Sequence, residues 1–300
     1  MAYQVSFDGI WAKIEWAEHH RKALDDYIIS IQRDKTKRST LRADLNTKTG
    51  YHVLKVVDVA DLTFERERVA LLVGDVVNNL RAALDHLVFQ LAAHRMNGEH
   101  DASRTQFPID HKKGVFTSRS KRKGSLSQVA SKHRTMIEKY QPYKRARIEM
   151  TWSNPFIHPL ALLQRLSNGD KHHILTTTVA TLQSYQMLFY EMPPMTSDDM
   201  TRAGRGLDRT LEVGANIHRA RITGMIDGSV PKRHIDVAGY AAPFICLEEM
   251  RPAALNLKWI STYVVRIIRE FEETFYPEAV SGHRGAPEEY PPGTLVITLG

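Results

Sequence analysis

The chain has a single cysteine, Cys246, among its 300 residues. One cysteine excludes an intrachain disulfide and any zinc site built mainly from thiolates. No apolar run approaches the roughly 18–20 residues that a membrane span requires. The N-terminus also lacks the basic stretch followed by an apolar one that is typical of a secretion signal. We therefore expect a cytoplasmic protein that does not associate with membranes.

Several enzyme motifs are absent as well. The sequence contains no G-x-x-x-x-G-K-[ST] phosphate-binding loop, no H-E-x-x-H metalloprotease motif and no G-x-S-x-G nucleophile motif. His172 and His173 are direct neighbours instead of lying one helical turn apart, which argues against a zinc site. We expect neither a metal ion nor a cofactor.

What remains is typical of a globular protein, with 42% hydrophobic and 25% charged residues. Apolar residues that recur every three to four positions predict amphipathic helices. Besides a long central helix that ends near Arg95, these are Phe7–Gln32, Ser127–Tyr140, Pro155–Leu166 and Leu255–Tyr276. The charged stretch Asp34–Arg42 is predicted to be a linker.

Alternating β-branched residues predict a strand near 51–59 and several more between Leu175 and Leu247. The predicted fold is mainly α with a β-rich insertion. A helical bundle occupies residues 1–176, and the insertion at 177–250 forms a small antiparallel sheet. A C-terminal helix at 251–276 returns to the bundle, and a tail rich in Pro, Gly and Glu at 277–300 is expected to be mobile.

The central helix carries an unusual polar arc opposite its apolar one. Two asparagines in the middle of a helix cost helix propensity, so a requirement other than solubility selects this arc. One interpretation is an acid/base and phosphate-binding site, since a carboxylate beside an arginine or a histidine orients it. The other is a buried polar network between helices, with Arg81 and Asp85 as a plain i, i+4 ion pair. The polar arc consists of Asp75, Asn78, Asn79, Arg81, Asp85 and His86.

Positive charge is concentrated between His111 and Arg147, where twelve Lys or Arg residues face one acid, Glu138. The net charge of this segment is +11, against +7 for the whole chain. Such a concentration favours a polyanionic partner, nucleic acid above all. The alternative is a mobile basic loop without a dedicated ligand. The candidate nucleic-acid-binding residues are Lys121, Arg122, Lys123, Lys132, Arg134, Lys144 and Arg145.

A second candidate cluster follows the helix predicted at Pro155–Leu166. Gly169 is predicted to break the chain there and to aim nearby side chains at a neighbouring helix. A lysine could bind phosphate and a histidine could act as an acid or base. The alternative is a plain helix C-cap with basic residues near the helix end. The cluster consists of Asn168, Asp170, Lys171 and His172.

The spacing of Arg81 and His86 within an apolar helix resembles the R-x4-6-H motif of the HEPN superfamily of α-helical bundles. Across residues 7–176, the stretches NLRAALDH, TQFPI and SNGDKHHIL also resemble a large group of uncharacterised bacterial proteins. In many toxins and defence proteins the HEPN motif carries metal-independent ribonuclease activity. The resemblance therefore implies a HEPN-like bundle that cleaves RNA, either tRNA or single-stranded.

The resemblance also implies roles for individual residues. Arg81 would contact the scissile phosphate, and His86 would act as acid or base on the 2′-hydroxyl or the leaving oxygen. Asp85 would orient His86 and replace the polar residue that often follows the arginine, which here is Ala82. Asp75, Asn78 and Asn79, with the Gly169 cluster, would support the site or bind substrate.

HEPN sites are commonly completed across a two-fold dimer. Arg81 and His86 lie about 140° apart on a helix, so a homodimer follows as a prediction. A toxin or antiviral effector of this type also implies a protein partner that neutralises it. Two other functions stay open: a non-catalytic nucleic-acid-binding dimer, and a protein–protein adaptor whose β-rich insertion carries the interface.

Overall fold

The computed structural model describes the chain in segments. The described residues are 3–34, 36, 39–46, 51–59, 64–121, 123–144, 158–172, 185–189, 212–220, 234–237, 239–243, 246–247 and 251–279. The predicted mobile tail lies outside these segments after residue 279, and Pro277–Ala279 forms a single 3-10 turn.

The described part of the chain is mainly helical, which confirms that prediction. Its helices are α1 (Asp8–Arg33), α2 (Arg66–Arg95), α3 (Lys113–Arg119), α4 (Ser131–Lys139), α5 (Pro159–His172) and α6 (Ala253–Phe275). Its strands are β1 (Thr40–Asn46), β2 (Tyr51–Asp58), β3 (Tyr185–Phe189), β4 (Asn216–Ala220), β5 (His234–Val237), β6 (Gly239–Pro243), β7 (Cys246–Leu247) and β8 (Arg251–Pro252). No described helix is both long and apolar enough to cross a lipid bilayer.

The chain forms two compact units, and neither is continuous in sequence. The helical unit consists of Met1–Leu24, Glu67–Thr176 and Ala254–Glu289. The strand unit consists of Asp25–Arg66, Thr177–Ala253 and Tyr290–Gly300. The prediction that residues 1–176 form one bundle is therefore wrong for 25–66, which belongs to the strand unit.

Hydrogen bonding between strands explains this assignment. Strands β1 and β2 form an antiparallel hairpin, and they lie at the centre of a four-stranded sheet in the order β4-β2-β1-β5. Both outer strands pair antiparallel with the hairpin. Within the 177–250 insertion, β3 and β6 form a separate antiparallel pair. The four-stranded sheet is not confined to the insertion as predicted, because its two central strands come from residues 40–58. Strand β2 lies at the predicted strand near 51–59, whereas β1 overlaps the predicted linker.

The helical unit has a dense apolar core. On α2 the apolar arc is completely inaccessible to solvent, as the predicted periodicity requires. The N-terminal segment, α1, α4, α6 and the extended segment after α2 all contribute side chains to the same core. Its largest fully buried side chains are Phe7, Ile10, Leu24, Leu80, Leu84, Leu87, Leu91, Phe107, Leu126, Ile137 and Phe271.

Helices α1 and α2 run antiparallel. Gly9 near the start of α1 lies against His86 in the second half of α2, while His20 lies against Asp75 in the first half. Gly9 is required at this contact, since a Cβ atom there would lie 2.5 Å from His86 Cε1. The His86 ring therefore occupies the space that a side chain at position 9 would need.

Helix α6 closes the unit from the other end of the sequence. The Trp11 indole donates a hydrogen bond of 3.2 Å to Glu272 Oε2, and the glutamate is only 3% exposed. Lys139 and Tyr140 at the end of α4 bind Glu270, and His133 near the start of α4 lies beside Tyr276. Helices α4 and α6 are therefore antiparallel neighbours.

Candidate functional site

Arg81 and Asp85 on α2 bind the backbone of one residue in the extended segment after the helix. Arg81 Nη2 donates to the Phe107 carbonyl at 2.6 Å and lies 3.0 Å from Asp85 Oδ1. The same carboxylate oxygen accepts the Phe107 N–H at 2.8 Å. Arg81 is 9% exposed. The two side chains and the peptide backbone form a closed polar network.

The local sequence explains why this network is needed. Pro108 favours an extended backbone at Phe107, so neither polar backbone group of that residue is satisfied within a helix. The Phe107 side chain is fully buried, which places its backbone against α2. An unpaired buried N–H or C=O would cost about 1–3 kcal/mol. The predicted i, i+4 ion pair of Arg81 and Asp85 is therefore confirmed. Their polar network joins α2 to an extended segment, whereas the prediction placed it between helices.

His86 has different partners. Its Nε2 lies 3.4 Å from Gln90 Nε2, and its ring packs against Gly9 and the edge of Phe89. Asp85 directs a carboxylate oxygen to Phe107 and Arg81 instead. The hydrogen-bond partner observed at the His86 ring is Gln90, and the role of Asp85 in orienting His86 stays a prediction.

A cleft of about 430 Å³ opens beside His86. Ser103 donates its hydroxyl to Asp101 at 2.5 Å, a hydrogen bond that lowers the pKa of the Asp101 carboxyl. Thr105 donates its hydroxyl to the Ala102 carbonyl at 2.7 Å. These two hydrogen bonds hold residues 101–105 in place at the rim of the cleft. Asp85, His86, Phe89, Ala102, Ser103, Thr105 and Gln106 line this His86 cleft. Arg81 does not line it, so the structure does not bring together the predicted phosphate ligand and acid/base group.

The other members of the polar arc lie further along α2. Asp75 Oδ2 is 3.6 Å from His20 Nδ1 of α1, and Asn79 Nδ2 donates to the Asp75 carbonyl at 2.8 Å. Asn78 is exposed and takes part in a polar interaction of its own. Neither the Asp75 contact nor the Asn79 contact involves His86. Asp75 and Asn79 therefore stabilise α1 and α2 instead of supporting a site at His86.

The cluster near Gly169 lies in regular helix. Helix α5 continues through Gly169 to His172, so both the predicted chain break and the predicted C-cap at that glycine are wrong. Asn168 is exposed. The side chains of Asp170, Lys171 and His172 lie outside the described residues. The helix begins at Pro159, a residue favoured in the first turn, and His158 Nδ1 accepts the Leu160 N–H there.

The basic segment contains both engaged and exposed cations. Arg134 donates to the Val129 carbonyl at 3.0 Å, Lys144 lies 3.2 Å from Glu138, and Lys132 lies 5.1 Å from the centre of the Phe275 ring. Lys121 and Lys123 are exposed. The side chains of Arg122 and Arg145 lie outside the described residues. The predicted set thus divides into residues that stabilise the fold and residues that face solvent.

Sequence reasoning missed the polar partners of His86. His86, Gln90, His94 and Asn97 follow one another at helical spacing along α2 and the turn after it. The last three all bind the N-terminal segment. The i, i+4, i+8, i+11 spacing was the available signal. It continues from the polar arc towards the C-terminal end of α2.

Within the described segments, no group of three or more His, Cys, Asp or Glu side chains is arranged to hold a metal ion. Comparisons with protein-family models, curated proteins and solved structures find no match to this chain.

Proposed function

We propose that this chain binds RNA, tRNA or single-stranded, through an exposed lysine surface on a HEPN-like helical unit. In this proposal the Arg81–His86 motif stabilises the unit and does not cleave the bound RNA. The lysine surface consists of Lys112 and Lys113 at the start of α3 and Lys121 and Lys123 after its end. Its exposure without neighbouring acids is the observation that carries the proposal.

The charge of the lysine surface is not neutralised locally. No Asp or Glu occurs between residues 111 and 137. All four lysines are exposed, and no ion pair joins them to an acid within the described segments. Arg119 in the same segment differs, because it lies 3.2 Å from the buried Asp110 carboxylate. Phosphate groups are the natural ligands for several exposed lysines on one short element.

The backbone holds these lysines in a defined arrangement. Helix α3 has seven residues and is therefore about 10 Å long. After the helix, the chain turns back so that the Leu126 N–H donates to the Arg119 carbonyl at 2.9 Å. Gly124 is needed in this turn, because a Cβ atom there would lie 2.0 Å from the same carbonyl oxygen. The tight turn fixes the positions of Lys121 and Lys123 beside the end of α3.

The motif residues support a binding function more than a catalytic one. Arg81 is buried and bound to Phe107 and Asp85, so it lacks the exposed guanidinium that phosphate binding requires. His86 Nε2 contacts the Gln90 amide. A general base needs a lone pair directed at the proton it removes.

The test is fluorescence anisotropy with a labelled single-stranded RNA oligonucleotide in EDTA, repeated over a salt series. Each phosphate contact to a single strand contributes about 0.7 to the slope of log affinity against log salt concentration. The double variants Lys112→Gln/Lys113→Gln and Lys121→Gln/Lys123→Gln should each lower this slope by about 1.4. The matched control is Lys144→Gln, whose cation already pairs with Glu138. Slopes equal to the control in both double variants would contradict the proposal.

The second candidate function is a metal-independent HEPN-type endoribonuclease. The observation that favours it is the position of His86 on a cleft together with Ser103, Thr105 and Gln106. In this candidate, which a homodimer completes, His86 takes the proton of the 2′-hydroxyl and the 2′-oxygen attacks the adjacent phosphate. The bond from phosphorus to the 5′-oxygen breaks, and that oxygen leaves as a hydroxyl. Incubation of tRNA with the parent and with His86→Gln in EDTA tests it. Cleavage by the parent alone, leaving 2′,3′-cyclic phosphate ends, supports catalysis, and intact RNA contradicts it.

A further inference from the structure

The N-terminal segment before α1 binds three polar side chains at the end of α2 and in the turn after it, Gln90, His94 and Asn97. The Tyr3 N–H donates to Asn97 Oδ1 at 2.9 Å, and the Tyr3 carbonyl accepts from His94 Nδ1 at 3.0 Å. The Tyr3 hydroxyl donates to Gln90 Oε1 at 3.1 Å, and the Ser6 N–H donates to the same oxygen at 3.2 Å. Gln90 is 7% exposed. We call residues Tyr3–Ser6 the N-terminal strap.

The strap determines which way the Gln90 amide faces. A backbone N–H can only donate, so the group opposite Ser6 must be the amide oxygen. The Tyr3 hydroxyl donates to that oxygen as well. Because the amide oxygen faces the strap, the amide NH2 is the group directed at His86. Reversing the amide would place its NH2 against the Ser6 N–H, two donors facing each other, and would lose that hydrogen bond to the strap.

The orientation of Gln90 fixes the proton on His86. An amide NH2 is a donor only, so His86 Nε2 must accept and must therefore carry no proton. In a neutral imidazole the other nitrogen is then protonated. From this chain of contacts we infer that the N-terminal strap, acting through Gln90 as a positioning residue, holds neutral His86 in the Nδ1-protonated tautomer.

This inference does not depend on RNA binding. Whatever ligand the His86 cleft binds, the Nε2 lone pair of His86 is already used by Gln90. The remaining polar group of the ring is the Nδ1–H, which can only donate. A reaction in which His86 Nε2 accepts a proton from substrate first requires Gln90 to move. Gln90 is held by the strap, so the strap keeps His86 from acting as a base at Nε2.

Nitrogen NMR of the full chain labelled with ¹⁵N-histidine tests the inference. Two-bond and three-bond proton–nitrogen correlations distinguish a protonated ring nitrogen from a bare one. Spectra at about pH 8.5 report neutral imidazoles, since the ordinary histidine pKa is about 6.5. Assignment comes from His86→Gln and His94→Gln spectra. We expect a bare Nε2 and a protonated Nδ1 for His86. A protonated Nε2 on neutral His86, or fast averaging between the two tautomers, would overturn the inference.

His94 provides an internal reference. Its Nδ1 faces the Tyr3 carbonyl, which can only accept, so His94 must also carry its proton on Nδ1.

A variant isolates the role of Gln90. Gln90→Glu keeps the oxygen that binds the strap and replaces only the NH2 by a second acceptor. His86 should then carry a proton on Nε2, while His94 stays unchanged. Gln164→Glu makes the same chemical change on α5 and should leave His86 as in the parent. An unprotonated His86 Nε2 in Gln90→Glu would contradict the role of Gln90. If that variant does not fold, the parent spectrum still decides the tautomer.

Discussion

Arg81 and Asp85 lie one helical turn apart and bind the two backbone polar groups of the same residue: the guanidinium donates to the Phe107 carbonyl and the carboxylate accepts the Phe107 N–H. An arginine and a carboxylate at this spacing are common on helices as weak surface pairs. Here they supply the hydrogen bonds that the backbone of an extended, buried segment would otherwise lack.

The first prediction concerns this network. Arg81→Met removes the donor to Phe107 and leaves Asp85 without its cation, so we expect the free energy of unfolding to fall by about 2 kcal/mol. Because the Asp85 carboxylate is partly exposed, the loss should be smaller than the 3–5 kcal/mol of a fully buried pair. Urea unfolding measures it. Asp75→Asn on the exposed part of the arc should change stability by less than about 0.5 kcal/mol. Equal losses in both variants would show that the network stabilises the fold no more than an exposed residue of the arc does.

The second prediction concerns Gly9. Gly9→Ala should destabilise the chain by about 1–3 kcal/mol, because the new Cβ lies 2.5 Å from His86 Cε1. In a His86→Ala background the clash disappears, and the same substitution should be neutral or should stabilise by up to about 1 kcal/mol through helix propensity. Gly114→Ala in α3 meets no atom within 4 Å and is the control. An effect of the same sign and size in both backgrounds would rule out the contact with His86 as its cause.

The third prediction concerns pH. Burial of His133 lowers the pKa of its imidazole to about 4, and the residue is only 2% exposed. Between about pH 6.5 and 4 the unfolded chain binds a proton that the folded chain does not, so stability falls as the pH falls through this window. The full loss is about 3 kcal/mol. His133→Leu should remove this part of the pH dependence, as measured by urea unfolding at pH 7 and pH 4.5.

The exposed His111 gives the matched control for that experiment. His111→Gln should keep the parent's loss of stability on acidification. If His133→Leu loses as much stability between pH 7 and pH 4.5 as His111→Gln does, His133 is not the histidine responsible.

The fourth prediction concerns the start of α5. His158 Nδ1 accepts the Leu160 N–H at 3.2 Å, and Nε2 lies 3.0 Å from the Tyr263 hydroxyl. His158→Ala loses both contacts and should cost about 1–2 kcal/mol. Asparagine is a good N-cap residue, so His158→Asn should recover the part of the loss that comes from the helix end. Stability no better than that of the alanine variant would show that the Tyr263 contact accounts for the whole effect.

The long helices could be predicted from sequence because their apolar periodicity is strong. Predicted Phe7–Gln32 is observed as Asp8–Arg33, and predicted Leu255–Tyr276 as Ala253–Phe275. Short elements depend on tertiary contacts that periodicity does not show. Strand β1 lies in a charged stretch and forms because β2 and β5 pair with it on both sides.

The candidate site was also predictable from sequence only in part. The polar arc on α2 was visible as an anomaly, and so was the Arg81–Asp85 pair. Their partner Phe107 was not, since the pairing is with backbone groups that every residue carries. Gln90 escaped notice because its importance comes from the Tyr3–Ser6 strap, more than eighty residues away in sequence. At Gly169 the helical context outweighed the intrinsic preference of glycine for a break.

The hydrogen bond between Trp11 and Glu272 joins residues 261 positions apart. During synthesis, α1 and α2 emerge long before α6, so the buried faces that α6 covers stay open until residues 253–275 have been made. Helical bundles usually fold quickly because their contacts are local, and this unit departs from that rule. The nascent chain therefore carries exposed apolar surface until α6 has been made, and surface of this kind makes folding intermediates prone to aggregation.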